Sequence, residues 1–318
     1  IIKRSINMDK LKKLGLTAIA GTFAIGSAQA LEMSASGSAG FTYSSSDDDE
    51  VTGERFSFGD SITLSGSGET DMGWTVTASY ELDDGATPFD DQTISIDTGN
   101  GSFHIQTAAD KGGHHNLVPN AYGSASFSLA SSVTETGNHL ADGVTGTTNL
   151  AYTNADIAGL DVTVAMSPGA TGGTDAVVKL KKADLMDGLT VAAGWGAVNP
   201  SDPNADMEEI TLSASYATGG LTFGVKDYRK DLSVASGSDI DGMAYGASFA
   251  VNDDLTVSAD RSTVDNAKKA VDEETTSYQV SYSMGSMAIK AHITKTDNTG
   301  HSSGSTDENK AIAVSFSF

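Results

Sequence analysis

"AIAVSFSF", residues 311–318, decides how the chain is read. Ile312, Val314, Phe316 and Phe318 alternate with Ala311, Ala313, Ser315 and Ser317. Period-two alternation is the mark of a strand with one apolar and one polar face. Ends of chains are usually frayed and polar, so a terminal strand with aromatic residues needs a partner. "MSASGSAGFTY", 33–43, is the natural one: Met33, Ala35, Ala39, Phe41 and Tyr43 alternate with serines, Gly40 and Thr42. Pairing the two closes a sheet on itself.

The same pattern recurs between them. "WTVTASYEL" (74–82), "LDVTVAM" (160–166), "TVAAGWGAV" (190–198), "ITLSASY" (210–216), "MAYGASFAV" (243–251) and "SYQVSYSM" (277–284) all alternate. Short turns stand at 70–73, 98–101, 157–159, 186–188, 218–220, 252–254 and 284–286. The apolar residues that open the following strands are spaced by 29, 57, 29, 32, 34 and 32 residues. A hairpin of about 30 residues therefore repeats, with one interval near double. Longer polar segments alternate with the short turns, at 44–55, 83–89, 167–174, 198–207, 231–240, 265–274 and 297–308. Seven short turns separating eight hairpins predict 16 strands.

The polar face consists of Ser, Thr, Gly and Ala with few charges, whereas the outer face of a soluble sandwich carries many. Tyr43, Tyr80, Trp195, Tyr216, Tyr245, Tyr278, Tyr282 and Phe316 lie near strand ends on the apolar face, as in the aromatic girdles of membrane barrels. No segment after residue 30 has 18 consecutive apolar residues, which excludes a helical membrane protein but not a barrel. The predicted fold is all-β: a transmembrane antiparallel up-and-down barrel, integral to a bacterial outer membrane. Sixteen closed strands enclose water, so the polar face lines a lumen. That reconciles a membrane protein with 38% hydrophobic residues.

From Met8 the chain reads as a secretory signal peptide: Lys10, Lys12 and Lys13, an apolar run from Leu14 to Ile25, and Ala28-Gln29-Ala30. Cleavage after Ala30 leaves 31–318 as the barrel. Residues 1–7 precede the methionine as upstream sequence. The chain has a net charge of −23 and no cysteine. Its acidity excludes a general nucleic-acid binder, which needs a basic face. Without cysteine there is no disulfide framework or thiol chemistry.

The near-double interval contains a loop over 108–148, between strands 5 and 6. Loops of that length generally have a function. Parity predicts that Glu81, His104, Gln106, Lys179, Lys181, Lys226, Lys290 and His292 face the lumen, with Asp260 and Gln279. A lysine on the lipid face would cost about 2–4 kcal/mol at the midplane. If the loop folds inward, Asp110, Glu135 and Asp142 are set against the wall lysines, and the opposed charges filter solutes. Alternatively the lysines sit solvated at a rim and the loop covers the mouth.

Asp47, Asp48, Asp49 and Glu50 offer oxygens for Ca²⁺ but lack the spacing and turn glycine of a calcium loop, so a solvated tip is the plainer reading. His114 and His115 lack further ligands for a metal. No cofactor is expected. No Ser-His-Asp or paired-carboxylate constellation is visible, and the chain is expected not to be an enzyme. The main expectation is a passive water-filled channel for small hydrophilic solutes and ions. The acidic external segments point to enrichment of cations at its mouth, with wall lysines opposing. A surface adhesin or structural β protein would need neither girdle nor terminal Phe. An outer-membrane barrel enzyme would need a polar catalytic cluster near the rim.

The short turns, the 16 strands, the long loop after strand 5 and the terminal "AVSFSF" together resemble the general diffusion porins of Gram-negative bacteria, particularly alphaproteobacterial porins of the photosynthetic-bacterium type. The resemblance covers residues 31–318. It implies a homotrimer in outer-membrane lipid, with 108–148 as an eyelet inside each barrel. It also implies that Phe316 and Phe318 belong to the signal read by the barrel-assembly machinery. The family's eyelet commonly has a wall cluster of arginines; here the candidates are mainly lysines and histidines.

Overall fold

The computed structural model describes residues 32–47, 52–83, 91–107, 115–122, 149–168, 174–199, 207–232 and 239–318. They form sixteen strands: β1 (Glu32–Asp47), β2 (Thr52–Glu69), β3 (Thr75–Asp83), β4 (Gln92–Asp97), β5 (Ser102–Gln106), β6 (Asn149–Ile157), β7 (Leu160–Pro168) and β8 (Thr174–Met186). The second half comprises β9 (Leu189–Asn199), β10 (Met207–Thr218), β11 (Leu221–Leu232), β12 (Ile240–Ala250), β13 (Leu255–Asn266), β14 (Glu273–Met284), β15 (Met287–Asp297) and β16 (Thr306–Ser317). Each strand pairs with its sequence neighbours, and β1 pairs with β16, so the barrel is closed. The expected leader, 1–30, lies outside the described residues.

The seam is where the alternation placed it. Phe41 is opposite Val314, and Tyr43 is opposite Ile312. Gly37 N–H donates to Phe318 O (2.9 Å), and Phe318 N–H donates back to Gly37 O (3.0 Å). A Cβ on Gly37 would stand 2.6 Å from the Phe318 ring. The terminal ring therefore lies over the bare backbone of β1, and the last residue is bonded at both its N–H and its C=O. Closure removes the open edges that a sheet in lipid cannot tolerate.

The sheet is turned inside out relative to a soluble protein. Phe58, Phe103, Tyr278, Leu212 and Phe318 are among the large apolar side chains exposed on its outside. Most buried side chains are polar and face inward, among them Thr211, Ser262, Thr275, Ser277 and Thr294. On β14 the buried residues Glu273, Thr275, Ser277 and Gln279 alternate with more exposed ones.

Two features differ from expectation. The polar stretch 44–55 is mostly strand: Ser44 pairs with Arg55, and the ladder runs to Asp47 opposite Thr52. Beyond the bilayer a ladder needs no apolar face, because water bathes both sides. The outer face also carries ion pairs toward the long-loop ends of β11 and β13–β16. Arg229 meets Asp227 at 3.3 Å, Arg261 meets Glu274 at 2.5 Å, Lys295 meets Asp297 at 2.7 Å, and Lys310 contacts Glu308.

Candidate functional site: a loop seated on the inner wall

The long connection leaves β5 at Gln106 and returns at Asn149. Its described segment, 115–122, lies inside the barrel and runs across the strands. Ser213 Oγ on β10 donates to His115 O (3.2 Å). Leu117, Val118 and Pro119 press on Gly224 of β11, where a Cβ would stand 2.2 Å from Leu117 O and 2.7 Å from Pro119 Cδ. Val118 also reaches Gly246 of β12. Ala121 N–H donates to Ser258 Oγ on β13 (2.8 Å). Tyr122 N–H donates to Gln279 Oε1 on β14 (2.9 Å). The Tyr122 ring meets His292 of β15 edge-on, 4.3 Å between centroids. Eight residues thus cross six strands.

Each anchor has a chemical reason. A loop backbone inside a barrel needs partners for its N–H and C=O groups, and wall hydroxyls and amides supply them. The supporting side chains are themselves held. Gln279 Nε2 donates to Asp260 Oδ2 (2.9 Å) and to Ser277 Oγ (3.0 Å), leaving its oxygen aimed at the loop. Thr294 Oγ1 donates to Ser277 Oγ (3.0 Å), and His292 Nδ1 lies 3.1 Å from Thr294 Oγ1. The apolar anchor is Val118, packed in a cluster with Tyr228, Ile240, Ala244 and Val264. These wall residues occupy inward positions that the alternation reserves for polar groups. They are apolar because a loop covers them.

The residues singled out from sequence separate into groups. His292 is buried under Tyr122. His104 is buried in the wall, 2.8 Å from Ser95 Oγ and 2.9 Å from Thr153 Oγ1. Gln106 is buried beside it, and its amide has no hydrogen-bond partner among the described residues. Lys226 is 2% exposed. It is on β11, with Nζ 6.0 Å from the Tyr228 ring. Lys179 is also buried. The expectation that Lys179 and Lys226 line open water is therefore corrected: parity put them on the inner face, but packing covers that face. Lys181 pairs with Asp161 at 2.9 Å, both half-exposed. Glu81 and Lys290 are half-buried on the inner face. Phe316 and Phe318 are exposed on the outer face. Asp110, Glu135 and Asp142, and the acids Asp48, Asp49 and Glu50, lie outside the described residues. Asp47 ends β1.

Sequence reading missed Ser213, Gly224, Gly246, Ser258 and Tyr228 as loop seats. The detectable signal was Ile240 and Val264 breaking the polar parity of their strands. Among the described residues no group of three His, Cys, Asp or Glu could hold a metal ion. A closed wall with an apolar outside and a polar inside makes a passage through a membrane, and residues 115–122 lie against its inner face.

The sequence model of the Gram-negative porin family matches residues 15–301. No curated protein sequence matches the chain at a significant level. Among solved structures, a porin refined at 1.8 Å resolution is 19% identical, with a TM-score of 0.66, covering 90% of this chain and 100% of its own. An anion-selective porin from Comamonas acidovorans is 14% identical, with a TM-score of 0.65 and coverages of 91% and 100%. A mutant of the Rh. blastica porin is 15% identical, with a TM-score of 0.61 and coverages of 90% and 100%.

Proposed function

Since the chain belongs to the Gram-negative porin family, we propose that the loop over 108–148 is the eyelet of its channel. The protein is an outer-membrane β-barrel that forms a water-filled path for diffusion of small hydrophilic solutes and ions. The loop limits solute size, and lumen charge biases which ions pass. The observation that carries this reading is the seating of residues 115–122 across β10–β15. A loop bonded at that many points is part of the wall's geometry, and it narrows the lumen permanently. Passive diffusion needs no catalyst or cofactor, and none is proposed. The signal peptide ends at Ala30, and Phe316 and Phe318 are read by the barrel-assembly machinery.

The physiological unit is a homotrimer. On the outer face of β2, Phe56 and Phe58 are 71% and 78% exposed, and Asp60 follows them on the same face, opposite Ala39. A carboxylate turned to lipid at that depth costs energy; a protein partner removes the cost. A groove of about 600 Å³ lies on the same outer face, between Tyr43 of β1 and Tyr278 of β14, and is lined by Ala291, Ile293 and Ile312. It lies two to three strands from β2. In a 16-strand barrel that is about 60° around the wall, the angle between the two contacts of a three-fold ring.

Liposome swelling with sugars of graded size tests the eyelet. Deleting residues 112–140 should admit larger sugars and raise conductance. An unchanged size limit would place the loop outside the passage.

A further inference from the structure

The outer face carries a cation near the short turns that its neighbours do not neutralise. Toward the long-loop end, the outward cations Arg229, Arg261, Lys295 and Lys310 each meet a carboxylate. Lys182 of β8 differs. It stands opposite Val191, which is two residues past the start of β9. Its Nζ donates to Gly159 O in the β6–β7 turn (2.5 Å) and makes no ion pair with a described residue. An ammonium has three donors, so two are left for a ligand.

Beside Lys182 a groove of about 450 Å³ lies on the outer face of β7–β11. Ala193 is opposite Leu180 and Leu212, and Ala214 is opposite Val191 and Val225. The two alanines are therefore diagonal neighbours on β9 and β10. Their short side chains make a trough between larger aliphatic ones. Leu160 lies at the Lys182 end, and Asp227, already paired with Arg229, at the other. A volume of this size suits a ligand, and an aliphatic lining that faces a bilayer suits an acyl chain.

Beyond Lys182 the charge changes sign. Between the pairs Lys182–Val191 and Met186–Leu189, three residues of β8 stand against one of β9. Such bulges re-aim side chains and are common beside functional sites. Asp184 lies in this bulge with φ 50, and both Asp184 and Asp187 are exposed. Asp156 of the neighbouring turn is already engaged, accepting from Gly159 N–H (2.9 Å). From the membrane toward water, the surface reads aliphatic trough, ammonium, carboxylates. A phospholipid with an ammonium headgroup reads acyl chain, phosphate, ammonium: the same order with the opposite charges.

We infer that this face holds one phospholipid of the phosphatidylethanolamine type, from the leaflet on the short-turn side. Its phosphate sits on Lys182, one chain lies in the Ala193–Ala214 trough, and its ammonium points to Asp184 and Asp187. A phosphatidylglycerol headgroup has no cation to offer the two acids, so it is disfavoured. The site is half a turn around the barrel from the β1–β16 seam, away from the surfaces assigned to the trimer. It rests on the membrane placement of the barrel and not on the eyelet.

Native mass spectrometry of the folded protein, released from mild detergent after incubation with phosphatidylethanolamine or phosphatidylglycerol, tests the inference. Heat-modifiable gel migration confirms that each variant is a folded barrel. The wild type should retain one phosphatidylethanolamine per barrel, about fivefold or more in preference to phosphatidylglycerol. Lys182→Gln should lower retention by about the same factor, and Lys182→Arg should keep it. Ala193→Phe fills the trough and should abolish retention. Asp184→Asn with Asp187→Asn should let both lipids bind equally. Ala259→Phe, on the outer face of β13 opposite Tyr278, should change nothing. Equal retention of the two lipids by the wild type, retention unmoved by Lys182→Gln and Ala193→Phe, or an equal loss from Ala259→Phe would each overturn the inference and leave only unspecific annular lipid.

Discussion

Gly224→Ala tests the loop seat with the smallest possible change. A Cβ at this position would meet Leu117 O at 2.2 Å, Pro119 Cδ at 2.7 Å and Val118 Cα at 2.9 Å. Ordinary contact needs about 3.4 Å, so the loop and wall must part by about 1 Å. The wall is a ladder bonded on both flanks, with Val225 opposite Ala214 and Tyr245. The loop is held by a few hydrogen bonds of about 1 kcal/mol each, and it yields first. Overpacking of this kind costs about 1–3 kcal/mol. Because the seat is on the wall, the loop moves into the lumen and the passage narrows. Single-channel conductance should fall by on the order of a quarter, more for Gly224→Val, as expected of a constriction tightened by its own lining. Deletion of the loop acts in the opposite direction, so the two variants bracket the wild type. An unchanged conductance, together with an unchanged thermal transition, would refute the seating of 117–119 on β11.

Further outcomes follow from other contacts. Phe318→Asp removes the ring over Gly37 and puts a charge at the seam; outer-membrane levels should drop severalfold in cells, as measured by membrane fractionation. Asp60→Lys combined with Phe58→Ser should convert a trimer to monomers on native gels, leaving the barrel folded; a persisting trimer would move the interface elsewhere. Ser258→Ala removes the acceptor of the Ala121 N–H and should weaken the loop seat by about 1 kcal/mol, seen as increased noise in the open channel.

Much of the fold could be read from alternation and turn spacing because lipid imposes a strict rule. Every second residue must be apolar at membrane depth, and every strand must be paired on both sides. "AIAVSFSF" and "MSASGSAGFTY" obey it, and their register is as the pattern requires. The rule does not govern the lumen. Parity tells which face Lys226 is on but not whether a loop covers that face. The covering is a long-range contact, between Val118 and residues more than 100 positions later. Its trace in the sequence is local and small: apolar Ile240 and Val264 where small polar residues were due, and glycines at 224 and 246 where the loop approaches. The length of β1 and β2 was hidden for another reason. Above the bilayer both faces are wet, so Ser44–Asp47 pairs with Thr52–Arg55 without any alternation to announce it.

Single-channel recording of the purified, folded protein in a planar bilayer tests the central claim most directly. The barrel with its seated loop predicts stable stepwise conductance, without substrate or energy source, and with steps grouped in threes if the trimer forms. Correctly inserted barrels that conduct no ions would contradict it.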